Sequence, residues 1–383
     1  MDRLLIYDRN KELIHVILGI KNGWCHEFEK KRGITHLLEH AIFLGNKTYP
    51  SPDDETQKKG VFLNGTTLPY ETLFFFTSYK DDLEEILTLL ISLIFNPEFD
   101  IDKINKEKEE SIITAVIDES QYTPWELAFE WAKNLVFDRD FRLSLGTIED
   151  LNEIKIDDLI DWHKKFYHFN NSFLMIYGDF SLDVIENILR NRDIRFGYEY
   201  PILNKVIWNK KEVNIRKKKM KNSEVVYGFK LKEYDIRWKI ISILLGNYPI
   251  SKFWDENFKK FIYTCESQLE FTPENGGLFI NFGLNSNKNL DLIHKNLLSL
   301  IKNFYITDKE LEYAKNLTLM EILKMKEGGE SGFLKFLSIN RFFKYENFHS
   351  IINDINSIKK DELINLINKN LKEENMVRVV VSS

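Results

Sequence analysis

The feature that most restricts the fold is that the chain repeats itself. The stretch ISLIFNPEFDIDKINKEKEESI, from Ile91, runs an apolar helix into a short loop and then into a charged helix. LSLIKNFYITDKELEYAKNLTL has the same outline about 206 residues later. A second block agrees: IKIDDLIDWHKKFYHFNNSFLMIYGD, from Ile154, is echoed from Ile358 by IKKDELINLINKNLKEENMVRVVVSS, an offset of about 204. Both copies of this block read as an amphipathic helix, a polar turn and an apolar strand. Two agreements at nearly one offset imply two homologous halves in tandem.

Within the first half, HVILGIKNGW reads as a strand ending at Asn22-Gly23, FLNGTT and TLFFFTSY as a strand pair, and DDLEEILTLLISLIF as a helix. Strands and helices come in runs, not in strict alternation, which predicts an α+β half: a mainly antiparallel sheet with helices packed on one face. The expected domains are residues 1–195 and 206–383, joined around FGYEYPILNK, where Gly and Pro interrupt the periodicity.

Composition narrows the function classes. A net charge of −6 over 383 residues gives no reason to expect a nucleic-acid partner. The one dense basic run, Arg216 to Lys219 with Lys221, reads as a solvated edge. Cys25 and Cys265 are the two cysteines, far apart, so no disulfide framework is implied. MDRLLIYDRN lacks an apolar signal region, and LTLLISLIF is too short to span a bilayer. The expectation is a cytoplasmic protein with no membrane partner.

The stretch GITHLLEH, from Gly33, places His36 and His40 four apart with Glu39 between them. Residues at that spacing share one helix face, so both imidazoles can reach a single ion. A zinc ion bound this way polarises water, and Glu39 is positioned to take a proton from that water and return it to a leaving amine. Thr35 is the expected N-cap of this helix. An ordinary amphipathic helix carrying two half-buried histidines is the alternative that the motif alone leaves open.

Its surroundings resemble the HxxEH inverzincin peptidases, the family that includes pitrilysin, insulin-degrading enzyme and the mitochondrial processing peptidase. The resemblance is carried by KNGWCHEFEKKRGITHLLEHAIFLG, by KKGVFLNGTT with Asn64 in the Asn position, by the turn FNPEFD and by LGTIEDLNEIKIDDLIDWHKKFYHFNNSFLMIYGDFS. It extends through the second half and so covers essentially the whole chain. It implies two similar halves that associate with further halves to enclose a zinc site. It also implies Zn2+ as cofactor, a homologous partner subunit in a homo- or heterodimer, and peptide or unfolded substrates added as a strand beside Asn64.

The sequence departs from that family in two places. The third zinc ligand there is a glutamate seven residues after another. Without gaps the first of the pair falls on Glu107 and the ligand position on Thr114; a two-residue shift moves it to Val116. Glu110 and Asp118 lie one helical turn either side of Thr114, and Glu110, with the longer arm, is the expected substitute. In the second half, SKFWDENFKKFIYTCESQ keeps a tyrosine, Tyr263, as a candidate catalytic residue; with two residues deleted Phe258 stands in the position of the family's arginine, and Lys259 or Lys260 could supply charge without the planar geometry of a guanidinium. These departures leave two readings, a zinc metalloendopeptidase subunit and a catalytically inactive homologue that completes a chamber for an active partner.

Overall fold

The computed structural model describes residues 1–28, 30–112, 123–141, 145–190, 206, 208–217, 220, 222–232, 234–246, 248–343 and 345–382. The expected junction between residues 195 and 206 lies outside them, as do Thr114, Val116 and Asp118.

Five strands form the first sheet: β1 (Asp2–Tyr7), β2 (Leu13–Ile20), β3 (Asn64–Thr67), β4 (Thr72–Tyr79) and β5 (Ser172–Gly178), in the order β1-β5-β2-β4-β3. The second sheet comprises β6 (Glu212–Arg216), β7 (Ser223–Leu231), β8 (Ile262–Phe271), β9 (Gly276–Leu284) and β10 (Met376–Ser382), in the order β6-β10-β7-β9-β8. The two orders are one topology written twice. In each sheet the first and last strands of the half pair in parallel, and the remaining pairings are antiparallel. The expected α+β class with two tandem halves is the observed one.

Alternation along the central strands sets which residues form the core. Ile14, Val16, Leu18 and Ile20 of β2, Phe74 and Phe76 of β4, and Leu174 and Ile176 of β5 join one buried cluster. Onto it pack α1 (Ile34–Phe43), through Leu37, Leu38, Ala41 and Ile42, the helix Leu83–Phe95, through Ile86, Leu87 and Leu90, and the helix Ile156–Phe166, through Leu159 and Trp162. Emptying one such site, as in Leu90→Ala, costs about 2–5 kcal/mol.

By their contacts the residues form two compact units, and each borrows from the other half of the sequence. The first contains residues 1–121, 143–204 and 329–334; the second contains 122–142, 205–328 and 335–383. In the second unit the helix Pro124–Phe137 sets Phe129 and Phe137 edge-on against Phe279 of β9, with ring centroids 5.2 and 5.8 Å away. In the first unit Phe333 lies 5.8 Å from the Tyr177 ring and 6.3 Å from that of His15. No helix among the described residues is long and apolar enough to cross a membrane.

One local device sets where α1 begins. Gly33 adopts φ +85°, and a Cβ there would come within 2.3 Å of the Leu145 carbonyl, so glycine is required twice over. Thr35, expected as the N-cap, lies inside the helix and is buried. The capping is supplied from a distance, because the Glu27 carboxylate accepts from the backbone N–H of Gly33 at 2.8 Å and of Thr35 at 2.9 Å. A carboxylate on the first amides of a helix also faces the positive end of its dipole. Burial nevertheless pushes the Glu27 pKa up to about 7, against the pull of those amides.

The sign of the resulting pH dependence follows. A carboxyl whose pKa is higher in the folded than in the unfolded chain favours folding fully below its unfolded value, and that contribution is lost as pH rises through about 7. Thermal melts between pH 4.5 and 7.5 should therefore show a fall that Glu27→Gln flattens. Glu27→Ala, measured at about pH 5.5, should cost about 1 kcal/mol through the lost cap.

Candidate active site

The face of α1 opposite its core-directed leucines carries His36, Glu39 and His40. The two imidazole rings meet edge to face, with centroids 4.6 Å apart and the two Nε2 atoms 3.2 Å apart. Burial, then the neighbouring His40, pushes the His36 pKa down to about 4, so this ring is neutral at physiological pH. His40 is oriented from behind: its Nδ1–H donates to Glu107 Oε1 at 2.8 Å, and its Nε2 faces His36. Glu107 closes the α-helix Ile101–Glu107, and the chain then passes into a π-helical turn, Lys108–Ile112. Such turns are frequent at functional sites.

Glu39 is 6% exposed. Its Oε2 accepts from the Thr67 hydroxyl at 2.7 Å, and burial raises its pKa. It comes so close to β3 that a Cβ on Gly65 would lie 2.6 Å from Oε1. A glycine on the strand is therefore what allows the carboxylate to sit against it. Among the described residues strand β3 is the edge of its sheet, with one side paired to β4 and the other open. Asn64 opens the strand, exposed, with its Oδ1 accepting from the Gly65 N–H at 2.8 Å.

The two histidines fit a zinc ion. Nitrogens bound to tetrahedral zinc at about 2.0–2.1 Å stand about 3.3 Å apart, and the two Nε2 atoms are separated by 3.2 Å. A carboxylate on the distal nitrogen of a ligating histidine is the usual support of such a site. Among the described residues no group of three or more His, Cys, Asp or Glu side chains is arranged to hold a metal. Glu110, expected as the third ligand, is exposed and lies 3.9 Å from Lys106, its neighbour one turn back. The helix thus presents Glu107 to the histidine pair, where Glu110 was expected.

In the second unit Tyr263 sits on the edge strand β8, at an irregularity in its pairing with β9. Its hydroxyl donates to the buried carboxylate of Glu224, and partial burial together with that carboxylate raises its pKa. Phe258 is buried, with its ring 5.0 Å from Phe253 and stacked on Phe282 at 6.1 Å. The place of the family's guanidinium is thus taken up by an aromatic cluster. His163 is buried, its Nε2 donating to the Ile94 carbonyl at 2.8 Å.

Sequence reasoning missed Glu27, Gly65 and Thr67, and it gave Glu107 no role. Gly65 and Thr67 stand in the strand that resembles the family's, and Glu107 at the first position of its glutamate pair, but the contact each makes with α1 is created by the fold.

Comparison with known proteins agrees with this fold. The family model "Insulinase (Peptidase family M16)" matches residues 3–134, and "Peptidase M16 inactive domain" matches residues 153–318. An uncharacterized zinc protease of Rickettsia felis is 23% identical over 377 residues, covering 93% of this chain and 89% of that protein. An insulin-degrading enzyme homolog of Dictyostelium discoideum is 25% identical over 215 residues, covering 54% of this chain but 21% of that longer protein. Among solved structures, a protease from Helicobacter pylori superimposes with a TM-score of 0.83 at 17% identity, covering 100% of this chain and 97% of that one. The chain belongs to peptidase family M16, the family of the insulin-degrading enzymes.

Proposed function

We propose that this chain is the zinc-bearing subunit of a metalloendopeptidase acting on peptides or unfolded polypeptide segments. The observation that carries the reading is the convergence of His36 and His40, backed by Glu107, beside a buried Glu39 on an open sheet edge. His36 and His40 would hold the ion, and the chemistry it supplies when bound is polarisation of a carbonyl and of water. Glu39 acts as general base and then returns the proton to the leaving amine; its raised pKa suits it to both. Thr67 holds the Glu39 carboxylate in place through the hydroxyl bond. The peptide adds as a strand along the open edge of β3, near Asn64, where backbone groups have no partner strand among the described residues.

The oxyanion contact is the weakest element of this chain's own equipment. Tyr263 is engaged by Glu224, and no guanidinium stands at Phe258. This favours a homologous partner subunit that supplies those groups. A second reading draws on the same observation: a chain that binds peptide and completes a chamber without cleaving. Cys25 and Cys265 are both present as thiols, in keeping with a cytoplasmic location.

Zinc content by elemental mass spectrometry should be about one ion per chain, lost in His40→Ala. Glu107→Gln should weaken zinc binding about 10–100-fold, as removal of such support does elsewhere. Glu39→Gln should retain zinc and lower cleavage of a fluorogenic peptide by about 10²–10⁴-fold. Peptide binding with zinc present and no cleavage, alone or with a partner, would select the second reading. For the third donor, zinc is measured in Glu110→Ala and Asp118→Ala; the variant that loses it names the ligand.

A further inference from the structure

A groove of about 390 Å³ opens in the first unit beside the start of β3. It exists because β3 is shorter than its neighbour. Among the described residues β3 pairs only with Thr72–Phe75 of β4, and β4 continues to Tyr79 with β2 on one side and no strand on the other. The walls include Leu13, Phe62 and Tyr79, and Asn64 and Glu330 also line it. Phe62 and Tyr79 are 69% and 60% exposed, so two aromatic faces stand in solvent at the end of an open strand edge.

The polar feature of this groove is Glu330, and it is held from behind. Buried His15 on β2 donates from Nδ1 to the Thr77 hydroxyl at 2.8 Å, and that hydroxyl donates to Glu330 Oε2 at 3.2 Å. The relay fixes one carboxylate oxygen. Among the described residues, Thr77 is the partner that the structure gives this carboxylate; no cation pairs with it. The neighbouring Lys59 does not fill that role, since its ammonium is bound by Asp82 at 2.7 Å and Glu85 at 2.9 Å. Burial raises the pKa of Glu330, the mark of a carboxylate lacking a counter-charge.

We infer that this groove is a subsite for a basic side chain, lysine or arginine, of the peptide that pairs with β3. A carboxylate between aromatic walls is the arrangement that recognises a cation on an apolar stem: the charge meets Glu330 and the stem lies along Phe62 and Tyr79. The inference rests on the reading of β3 as the peptide-binding edge and adds a side-chain preference to it. Position is part of the claim. Thr67, which holds Glu39, and Phe62 are five residues apart, about 16 Å if extended, so the basic residue lies roughly three to five positions from the scissile bond.

The test is binding of a labelled neutral peptide of about twelve residues, long enough to span both places, with a single arginine moved along it. It is measured by fluorescence anisotropy on the zinc-loaded Glu39→Gln chain. Arginine at one or two adjacent positions should tighten binding about five- to tenfold over the neutral peptide, the worth of one partly exposed charge-assisted contact. In Glu330→Gln that ratio should fall to near one, and in Glu330→Lys an acidic residue at the same position should bind better than arginine. Phe62→Ala, at an exposed site that leaves the core intact, should also lower the ratio and guards against a misfolded Glu330 variant. Peptide binding that ignores the arginine, or a preference that survives Glu330→Gln, overturns the subsite while leaving the peptidase reading standing. No binding of any peptide overturns the peptide edge itself, and the subsite with it.

Discussion

The site depends on how α1 is wedged between a buried carboxylate at its start and a bare strand beside it. Glu27 takes the first free amides, which fixes the residue at which the helix begins. A helix turns by about 100° per residue, so a start displaced by one residue would swing both histidines off the shared side. Gly65 lets the same helix approach β3 until Glu39 touches it, and Thr67 then locks the carboxylate. The geometry of three chemical groups is thereby delegated to the backbone of two elements, and side-chain flexibility has little room to spoil it.

Electrostatics follow from that wedge. Withdrawal from solvent keeps His36 neutral and Glu39 easy to protonate, opposite demands met on one helix face. Glu107 adds directionality, because its bond to Nδ1 turns the other ring nitrogen of His40 toward His36. The second unit repeats the sheet without repeating this chemistry. Its counterpart edge carries Tyr263 tied to Glu224, and its core is filled by Phe253, Phe258 and Phe282. One scaffold carries a histidine pair and a buried carboxylate in one copy and an aromatic cluster in the other.

Much of the architecture was legible because it rests on periodic signals. The repeat at about 205 residues announced two sheets of one topology, and alternation in LIHVILGI and TLFFFTSY marked the strands that became β2 and β4. HxxEH was legible because a helix brings positions four apart onto one side whatever surrounds it. The support of these groups was not legible. Glu107 is 67 residues from His40, and Glu27 looks like any other acid in the charged run EFEKKR. Thr35 was expected to cap because Ser and Thr commonly do so locally; a carboxylate from a preceding loop left it free to be buried. The register of the helix carrying Glu107 and Glu110 was likewise hidden, since a π-helical turn leaves no spacing rule in the sequence.

The exchange of segments between the two halves has a consequence for how the molecule comes into being. All five strands of the first sheet lie before residue 179, yet the segment that sets Phe333 against Tyr177 and His15 is made only after most of the second half. The helix Pro124–Phe137 meanwhile leaves the ribosome long before the sheet it will cover. Neither unit can finish in the order in which it is synthesised. Each must wait for the other, with apolar surface exposed in the interval. The chain gives up the safety of folding one half at a time, because each sheet is completed by a segment from the other half of the sequence.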